Sequence, residues 1–489
     1  MSQQNNKLYP LVQFIDKYNN KLIYISIIIS FSVLLLFAIK RHLSYHSTSC
    51  DLLLFDQVTR NTLKGNIGYS YIKHSNFFSE HIAFIFIPIS LFYLVFNRPE
   101  MLLIIQSFFL SLTILPLYWI SKEILENSLV SLFVPVLYIL SPYLWDANIF
   151  DFHQETLVPC FFLFSYYYLL KKQFIRYLVF ISLALICKED MSIYSFGLGL
   201  YILLFNREPK SRIIGVITIL LSIIWFYLCM FIFIPYFSNK SVYYTIFDKY
   251  GYLGKNLLEI IRTVIFNPYL ILTKIINHIF NREIILSVTK LFYSVLFLPL
   301  ISFHHILITL FPILINILSC NLSQYNFRFH YSMSVLPFLF ISSIYGLKNI
   351  MNFVNLRTSS YVKYFIPSII ISVFSLHNWY LNTFPVLKSE IFIKKEYHKL
   401  IDNIIKNLPT NSVISAQTTI APHLFRNRKV YCFPDILDAE YIFLDYNGFK
   451  FPLDEKEYFK KVNELLSDDK YKVIYQNNGI ILLKKKYQK

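Results

Sequence analysis

The sequence predicts an α-helical polytopic membrane protein followed by a small soluble α/β domain, and three observations carry that prediction. Of the 489 residues, 55% are hydrophobic. A soluble fold of this length cannot bury so much apolar surface, so lipid must cover part of it. About eleven apolar runs, each near the length that crosses hydrocarbon, recur before residue 381. From Pro385 onward the runs shrink to strand length and alternate with helical stretches.

The runs lie near 22–39, 101–120, 129–145, 156–170, 174–187, 191–205, 212–235, 285–300, 303–319, 331–347 and 362–380. The first begins late and lacks a small-residue cleavage site, so it reads as a retained helix and not as a signal peptide. Several are short for a span and lean on flanking residues or on local thinning of the bilayer. Pro116, Pro135, Pro235, Pro312, Pro337 and Pro367 fall in or at the ends of runs, which membrane helices tolerate when neighbours satisfy the freed backbone. The six cysteines are scattered without a C-x-x-C pair, which supports neither a zinc site nor a disulfide framework. A net charge of +17 suggests nucleic acid at first sight. Lys and Arg instead sit in short clusters between apolar runs, as loop charges do, and the nucleic-acid reading is set aside.

Those clusters also orient the chain. The stretch 82–96 has only about fifteen apolar residues, with Pro88 in the middle, short of a full span. We expect it to be re-entrant or interfacial, with the N-terminus (Lys7, Lys17, Lys21) cytoplasmic. Then Lys122, Lys171/Lys172/Arg176, Arg207/Lys210/Arg212 and Lys348/Arg357/Lys363 all fall inside. If 82–96 crossed, every one of them would fall outside. The expected organisation is a transmembrane domain over 1–384 in the cell membrane, with outer loops 40–81 and 236–284, and an extracytoplasmic α/β domain over 385–489. In the loop 236–284, Leu257, Ile260, Ile261, Val264 and Ile265 recur at helical spacing, as in a surface helix or one packed on the bundle. In the C-terminal domain, strands are expected at 412–416, 429–432, 441–445, 472–475 and 479–483, with helices over 394–407 and 454–466.

Groups able to do chemistry gather in the expected outer segments. Asp51 and Asp56, with Gln57 beside them, open the first outer loop. Two carboxylates at a membrane surface suit a base and its orienting group, although helix capping by Asp51 explains the same spacing. Asp151, His153 and Glu155 stand between two apolar runs, where an unpaired charge costs roughly 2.5–3.5 kcal/mol. That spacing suits either a divalent cation or a salt-bridged loop. Lys188-Glu189-Asp190 follows directly on an apolar run and is either a self-neutralising turn or a phosphate-meeting Lys188 with paired acids. Arg328 and His330 sit at the mouth of a later helix, where anion binding and snorkelling compete as explanations. Glu80-His81 forms a fifth, weaker pair.

The order of these pieces resembles the domain-of-unknown-function 2079 family of predicted multi-pass membrane proteins, which is similar to the GT-C class of membrane glycosyltransferases. The residues carrying the likeness are Asp51, Phe55-Asp56-Gln57, Asn61-Thr62-Leu63, Gly65, His81, Leu102-Leu103, Gln106 and Leu115-Pro116-Leu117-Tyr118. They continue through Ser141-Pro142, Asp151-Phe152-His153-Gln154-Glu155, Lys188-Glu189-Asp190-Met191, His330-Tyr331 and Pro337-Phe338-Leu339. The last are Ala421-Pro422-His423-Leu424, Arg426 and Phe433-Pro434. The match runs along nearly the whole chain. Three positions depart from the family pattern: Arg60 replaces an aromatic, Gln154 a proline and Leu53 a glycine.

The resemblance implies a glycosyltransferase that takes a sugar from a polyprenyl-phosphate donor at the outer face, inverting the anomeric centre, with an unknown acceptor. Asp51, or Asp56, would be the catalytic base. His81, His153, Lys188, Arg328 and His330 would meet the phosphate, with Gln57, Glu80, Glu189 and Asp190 in support. Asp151 and Glu155 would hold a divalent cation if one is used. The C-terminal domain would bind acceptor or partner. A transporter or lipid translocator is the alternative from another class, and a non-catalytic membrane scaffold is a third. Acids clustered on one face, and the lack of an internal repeat, count against transport.

Overall fold

The computed structural model describes residues 9–238, 249–255, 257–355, 360–424 and 428–486. Lys7, Arg357 and Arg426, and part of the loop 236–284, lie outside them, as do the side chains of Leu257, Ile261 and Lys363.

Helices dominate up to Leu387. The first, Tyr9–Leu43, shows why lipid must surround the bundle. Ile23, Leu34 and Ala38 are buried, while Ile25, Ile28, Ile29, Val33 and Leu36 on the other side are exposed. Helices Pro209–Leu228 and Ser360–Asn382 carry similar bare stripes, through Leu220, Ile223 and Ile224 and through Ile369, Ile370 and Val373. Contiguous apolar surface of this extent is stable against acyl chains and not against water.

By length and apolarity, three helices among the described residues are able to cross a membrane: Lys17–Leu43, Glu100–Leu125 and Pro209–Phe237. A fourth candidate joins Ser128–Ile139 and Pro142–Ile149, bent by 43°. Several of the expected runs are broken by the backbone. The run at 285–300 becomes the helix Arg282–Tyr293 and then turns at Leu296 and Phe297, both at positive φ. The run at 303–319 starts with Phe303 at positive φ, then a 3-10 turn, before the helix Leu307–Ile317. Left-handed conformations end helices whatever the hydropathy.

The stretch 82–96 holds only the five-residue helix Phe86–Ser90 and the 3-10 turn Leu91–Leu94. That is too short to traverse a hydrocarbon core of roughly 30 Å. The basic clusters meet at one end of the bundle. Lys171 pairs with Glu123 at 2.5 Å, Lys172 with Glu208 at 3.1 Å, and Lys348 with Glu126 at 2.8 Å. Helix Val158–Leu170 ends there, having started beside Glu155 at the opposite end.

The C-terminal part is an open five-stranded sheet of order β4-β3-β5-β7-β6, following a two-stranded hairpin (β1 Tyr69–Ser70, β2 Ser75–Asn76) in the loop after the first helix. Its strands are β3 (Val413–Ala416), β4 (Lys429–Cys432), β5 (Tyr441–Asp445), β6 (Tyr471–Asn477) and β7 (Ile480–Lys485). β3 runs parallel to β4 and β5, and β7 is antiparallel to both β5 and β6. Side-chain alternation splits the strands between two cores. Ile442, Leu444, Ile481 and Leu483 pack with Tyr458, Val462 and Leu465 of helix Glu455–Ser467. Tyr441, Phe443, Ile480 and Leu482 pack with Ile401 of helix His398–Asn407, and with Tyr45 and Leu53 from the segment after the first helix.

Candidate functional site

The end of the first helix builds one wall of the site. Lys40, Arg41 and His42 occupy its last turn, where cations suit the helix dipole. Arg41 extends to Asp151, Nη1 to Oδ1 at 2.6 Å. The chain then enters a π-helical turn, Ser49–Leu53, that leads into helix Leu54–Leu63. Wide turns of this kind recur at functional sites. Asp51 lies inside the turn and does not cap a helix; the N-cap position is Thr48. The Thr48 hydroxyl sits 2.9 Å from Asp51 Oδ2 and 3.2 Å from Asp151 Oδ2, and its amide donates to Asp151 Oδ2 at 2.8 Å. Asp51 and Asp151, a hundred residues apart in sequence, therefore share one site.

The second wall is the irregular stretch Phe150–His153, between helix Pro142–Ile149 and the 3-10 turn Gln154–Leu157. Gln106 accepts the His153 amide at 3.2 Å and donates toward the Ala147 and Asn148 carbonyls. His153 Nε2 faces Asp51 Oδ1 at 3.4 Å, and its ring stacks on that of His330, with centroids 3.8 Å apart and planes 11° from parallel. His330 is aimed inward by a turn in which Phe327 and Phe329 both adopt positive φ. Beyond it, His330 Nε2 lies 4.0 Å from Glu155 Oε1, which pairs with Lys188 Nζ at 2.7 Å. Lys188 in turn stands 3.8 Å from Asp190. Asp51, His153, His330, Glu155, Lys188 and Asp190 thus form one continuous chain of ionisable groups. Glu155 Oε2, Asp190 Oδ1 and His330 Nδ1 are buried without a hydrogen-bond partner among the described residues. Polar atoms in that condition are costly unless something in the cleft meets them.

The electrostatics follow from these contacts. Burial pushes Asp51 up, but the hydrogen bond and charge of His153, with the Thr48 hydroxyl and Arg41, bring it below the usual carboxylate range. Burial pushes His153 down, and Asp51 and Glu155 more than reverse that, so its imidazole holds a proton above the usual histidine range. Glu155 is likewise buried, yet the charges of Lys188 and His153 hold it ionised, while burial and the His153 charge keep His330 neutral. Asp190, dominated by burial with Glu189 and Glu155 nearby, is pushed up to about 6. Lys249 also enters this field. Its amine stands 5.7 Å from the Tyr331 ring centre, and burial and then the Lys188 charge lower its pKa.

Other expected site residues stand apart. Asp56 is taken up by Arg60 of its own helix, at 2.8 Å, and by the Tyr93 hydroxyl at 2.9 Å. Gln57 clamps backbone, accepting from Tyr71 and Ile72 and donating to the Val430 carbonyl at 2.9 Å. Glu80 pairs with Lys73. His81 and Glu189 pair with each other at 2.8 Å, and Glu189 also accepts the Ile82 amide. Arg328 is exposed over the Phe329 ring, lining a separate cavity of about 730 Å³ with Asp146, Lys290, Tyr293 and Asn382. The paired ligation expected of Asp151 and Glu155 is not formed, because one carboxylate is committed to Arg41 and Thr48 and the other to Lys188. Among the described residues no group of three or more His, Cys, Asp or Glu gathers in a way that suits a metal ion.

Sequence reasoning did not find Arg41, Thr48 or Lys249. The only signal for Arg41 is indirect, in that a buried Asp151 needs a counter-charge. Nothing local marks Thr48 or Lys249.

Comparison with known proteins agrees with this architecture. No curated protein sequence matches the chain. Among solved structures, ArnT from Cupriavidus metallidurans bound to undecaprenyl phosphate is similar at a TM-score of 0.54 and 11% identity, covering 93% of this chain and 97% of that one. Its apo form gives 0.52 at the same identity and coverage. At that identity the likeness is one of fold alone. The sequence pattern itself is more specific: residues 41–482, from the arginine that holds Asp151 into the last strand, β7, match one family model, and the chain belongs to the DUF2079 family of predicted membrane proteins.

Proposed function

We propose that the protein is a membrane glycosyltransferase that takes a sugar from a polyprenyl-phosphate donor at the extracytoplasmic face. The observation that carries this reading is the unbroken arrangement of Asp51, His153, His330, Glu155 and Lys188. It sets two ionised carboxylates, Asp51 and Glu155, among the cations His153 and Lys188 at the end of the bundle away from the basic loops.

The acceptor hydroxyl attacks the anomeric carbon, and Asp51 takes the hydroxyl proton. A carboxylate held below its usual range is ionised and ready at neutral pH, though it is a weak base. It therefore receives the proton late, as the new C–O bond drains charge from the hydroxyl. The bond from the anomeric carbon to the phosphate oxygen breaks, and its electron pair leaves with the polyprenyl phosphate. Protonated His153, with Lys188 and Lys249, meets the charge that develops there. No step requires a metal.

The test uses membranes carrying the full-length protein and a polyprenyl-phosphate hexose labelled in the sugar. Release of free polyprenyl phosphate is followed, so the acceptor need not be known. Asp51→Asn is expected to lower turnover by about 10²–10⁴-fold. Unchanged turnover, or labelled lipid crossing the bilayer with no covalent product, overturns the reading.

A further inference from the structure

In open α/β sheets, ligands bind in the crevice beyond the carboxyl ends of the parallel strands. Here that edge is made by the ends of β3 and β4, Ala416 and Cys432, and by the turn at Gln417-Thr418. The crevice is already filled, by the loop that carries Asp51. The Ser49 amide donates to Thr418 Oγ1 at 3.2 Å, the Ser49 and Thr418 hydroxyls meet at 2.8 Å, and Ser49 Oγ donates to Cys432 Sγ at 3.0 Å. All three residues are buried.

The grip extends to both sides of Asp51. Upstream, the Tyr45 hydroxyl donates to Asp402 at 2.7 Å and its ring stacks on His423, with centroids 4.0 Å apart. Downstream, Leu53 joins the hydrophobic core of the sheet, and Gln57 donates to the Val430 carbonyl of β4. The helix-one side contributes Thr48, whose hydroxyl is bonded to Asp51 itself. A π-helical turn is a wide, poorly propagating conformation that needs outside support to persist. The C-terminal sheet supplies that support two residues from the carboxylate.

We infer that the C-terminal sheet domain is a positioning element for Asp51: Thr418, acting through Ser49, holds the turn in which the Asp51 carboxylate faces His153. This rests on the glycosyltransferase reading. It assigns to the domain a role in turnover, and leaves the expected acceptor-binding role to other surfaces. Thr418 is a positioning residue, since it touches no substrate.

The experiment compares Thr418→Val, which keeps the shape and removes the hydroxyl, with Thr418→Ser, which keeps the hydroxyl. Both are made in the full chain and assayed with the labelled polyprenyl-phosphate hexose. Misplacing a catalytic group by about 1 Å costs on the order of 100-fold. Thr418→Val should therefore lower turnover by about 10- to 100-fold with the donor KM within about twofold of wild type, and Thr418→Ser should restore most of it. Equal loss in both variants, a change confined to KM, or full turnover in Thr418→Val overturns the inference. A readout independent of catalysis accompanies it: Ser49→Cys in a Cys50→Ser background should form a disulfide with native Cys432 under mild oxidation, and not in Cys432→Ala. Absence of that cross-link shows that the loop is not seated and overturns the inference directly. If the Ser49→Cys chain cross-links but the wild-type chain releases no polyprenyl phosphate, the glycosyltransferase reading fails, and the positioning role with it, while the docking stands.

Discussion

Asp51 and His153 hold each other charged, and the two shifts have opposite consequences with pH. Asp51 lies below its usual range, so its share of the ion pair is present above about 3.8 and is lost as pH falls through the depressed value. His153 lies above 6.5, so its share is complete below that value and is lost as pH rises through the higher folded one. The pair is intact between these limits. The affinity for a phosphate-bearing donor is expected to hold level through neutral pH and to fall on the alkaline side, as the imidazolium loses its proton above 6.5. Binding of the labelled donor measured from pH 5 to 9 checks this, and His153→Gln should erase the alkaline fall. A fall that persists unchanged in that variant assigns it to another group. Asp151 and Glu155 differ from Asp51 in having their charge consumed: Arg41 and Lys188 are their counter-ions, and burial makes such pairs costly to break, by about 3–5 kcal/mol.

At the scale of elements, close backbone approach decides which helices pair. Helices Met191–Phe205 and Pro209–Leu228 meet through two glycines. A Cβ on Gly215 would lie 2.9 Å from the Gly199 carbonyl oxygen and 2.9 Å from the Leu203 nitrogen; a Cβ on Gly199 would lie 2.9 Å from the Gly215 carbonyl oxygen. Small residues at such a crossing let dispersion and packing hold helices together where lipid supplies no hydrophobic drive. Gly215→Val is expected to force the pair apart and cost about 1–3 kcal/mol. A lowered midpoint of thermal unfolding in detergent checks this, and an unchanged midpoint contradicts it. The hairpin these helices form starts at Asp190, so the same contact braces the Lys188-Glu189-Asp190 turn from below. Helix Leu54–Leu63 is a contrasting case: its Asp56–Arg60 pair is internal, four residues apart, and Tyr93 and Asn97 tie that pair to the neighbouring stretch.

At the scale of the whole molecule, charge is segregated between the two ends of the bundle. Lys171, Lys172 and Lys348 are tied together with Glu123, Glu208 and Glu126 at one end, and Asp51, Asp151, Glu155 and Lys188 occupy the other. The positive-inside rule predicts that the first end is cytoplasmic. In intact cells, Lys172→Cys should react with a membrane-impermeant maleimide only after permeabilisation. Asp469→Cys, in the C-terminal sheet domain, should react without it. The reverse pattern places the site in the cytoplasm and removes the proposed extracytoplasmic donor.

Much of this was legible in the chain alone because it depends on composition and period. The excess of apolar residues, the basic loops between them, the short span at 82–96 and the alternation of strands after Pro385 are one-dimensional signals, and each has a counterpart in the fold. The acids of the candidate site were also visible, since a charge beside an apolar run is conspicuous. Tertiary structure decided which carboxylate is left unspent. Asp51 and Asp56 look alike in sequence, yet Arg60 and Tyr93 occupy one while His153 and Thr48 leave the other facing the cleft. It decided, too, that apolar runs break at Leu296 and Phe303, where backbone torsion overrules hydropathy. The physical reason is common to all these cases: a side chain's type is written in the sequence, but the free energy of its charge or its backbone depends on neighbours that only the fold brings within a few ångströms.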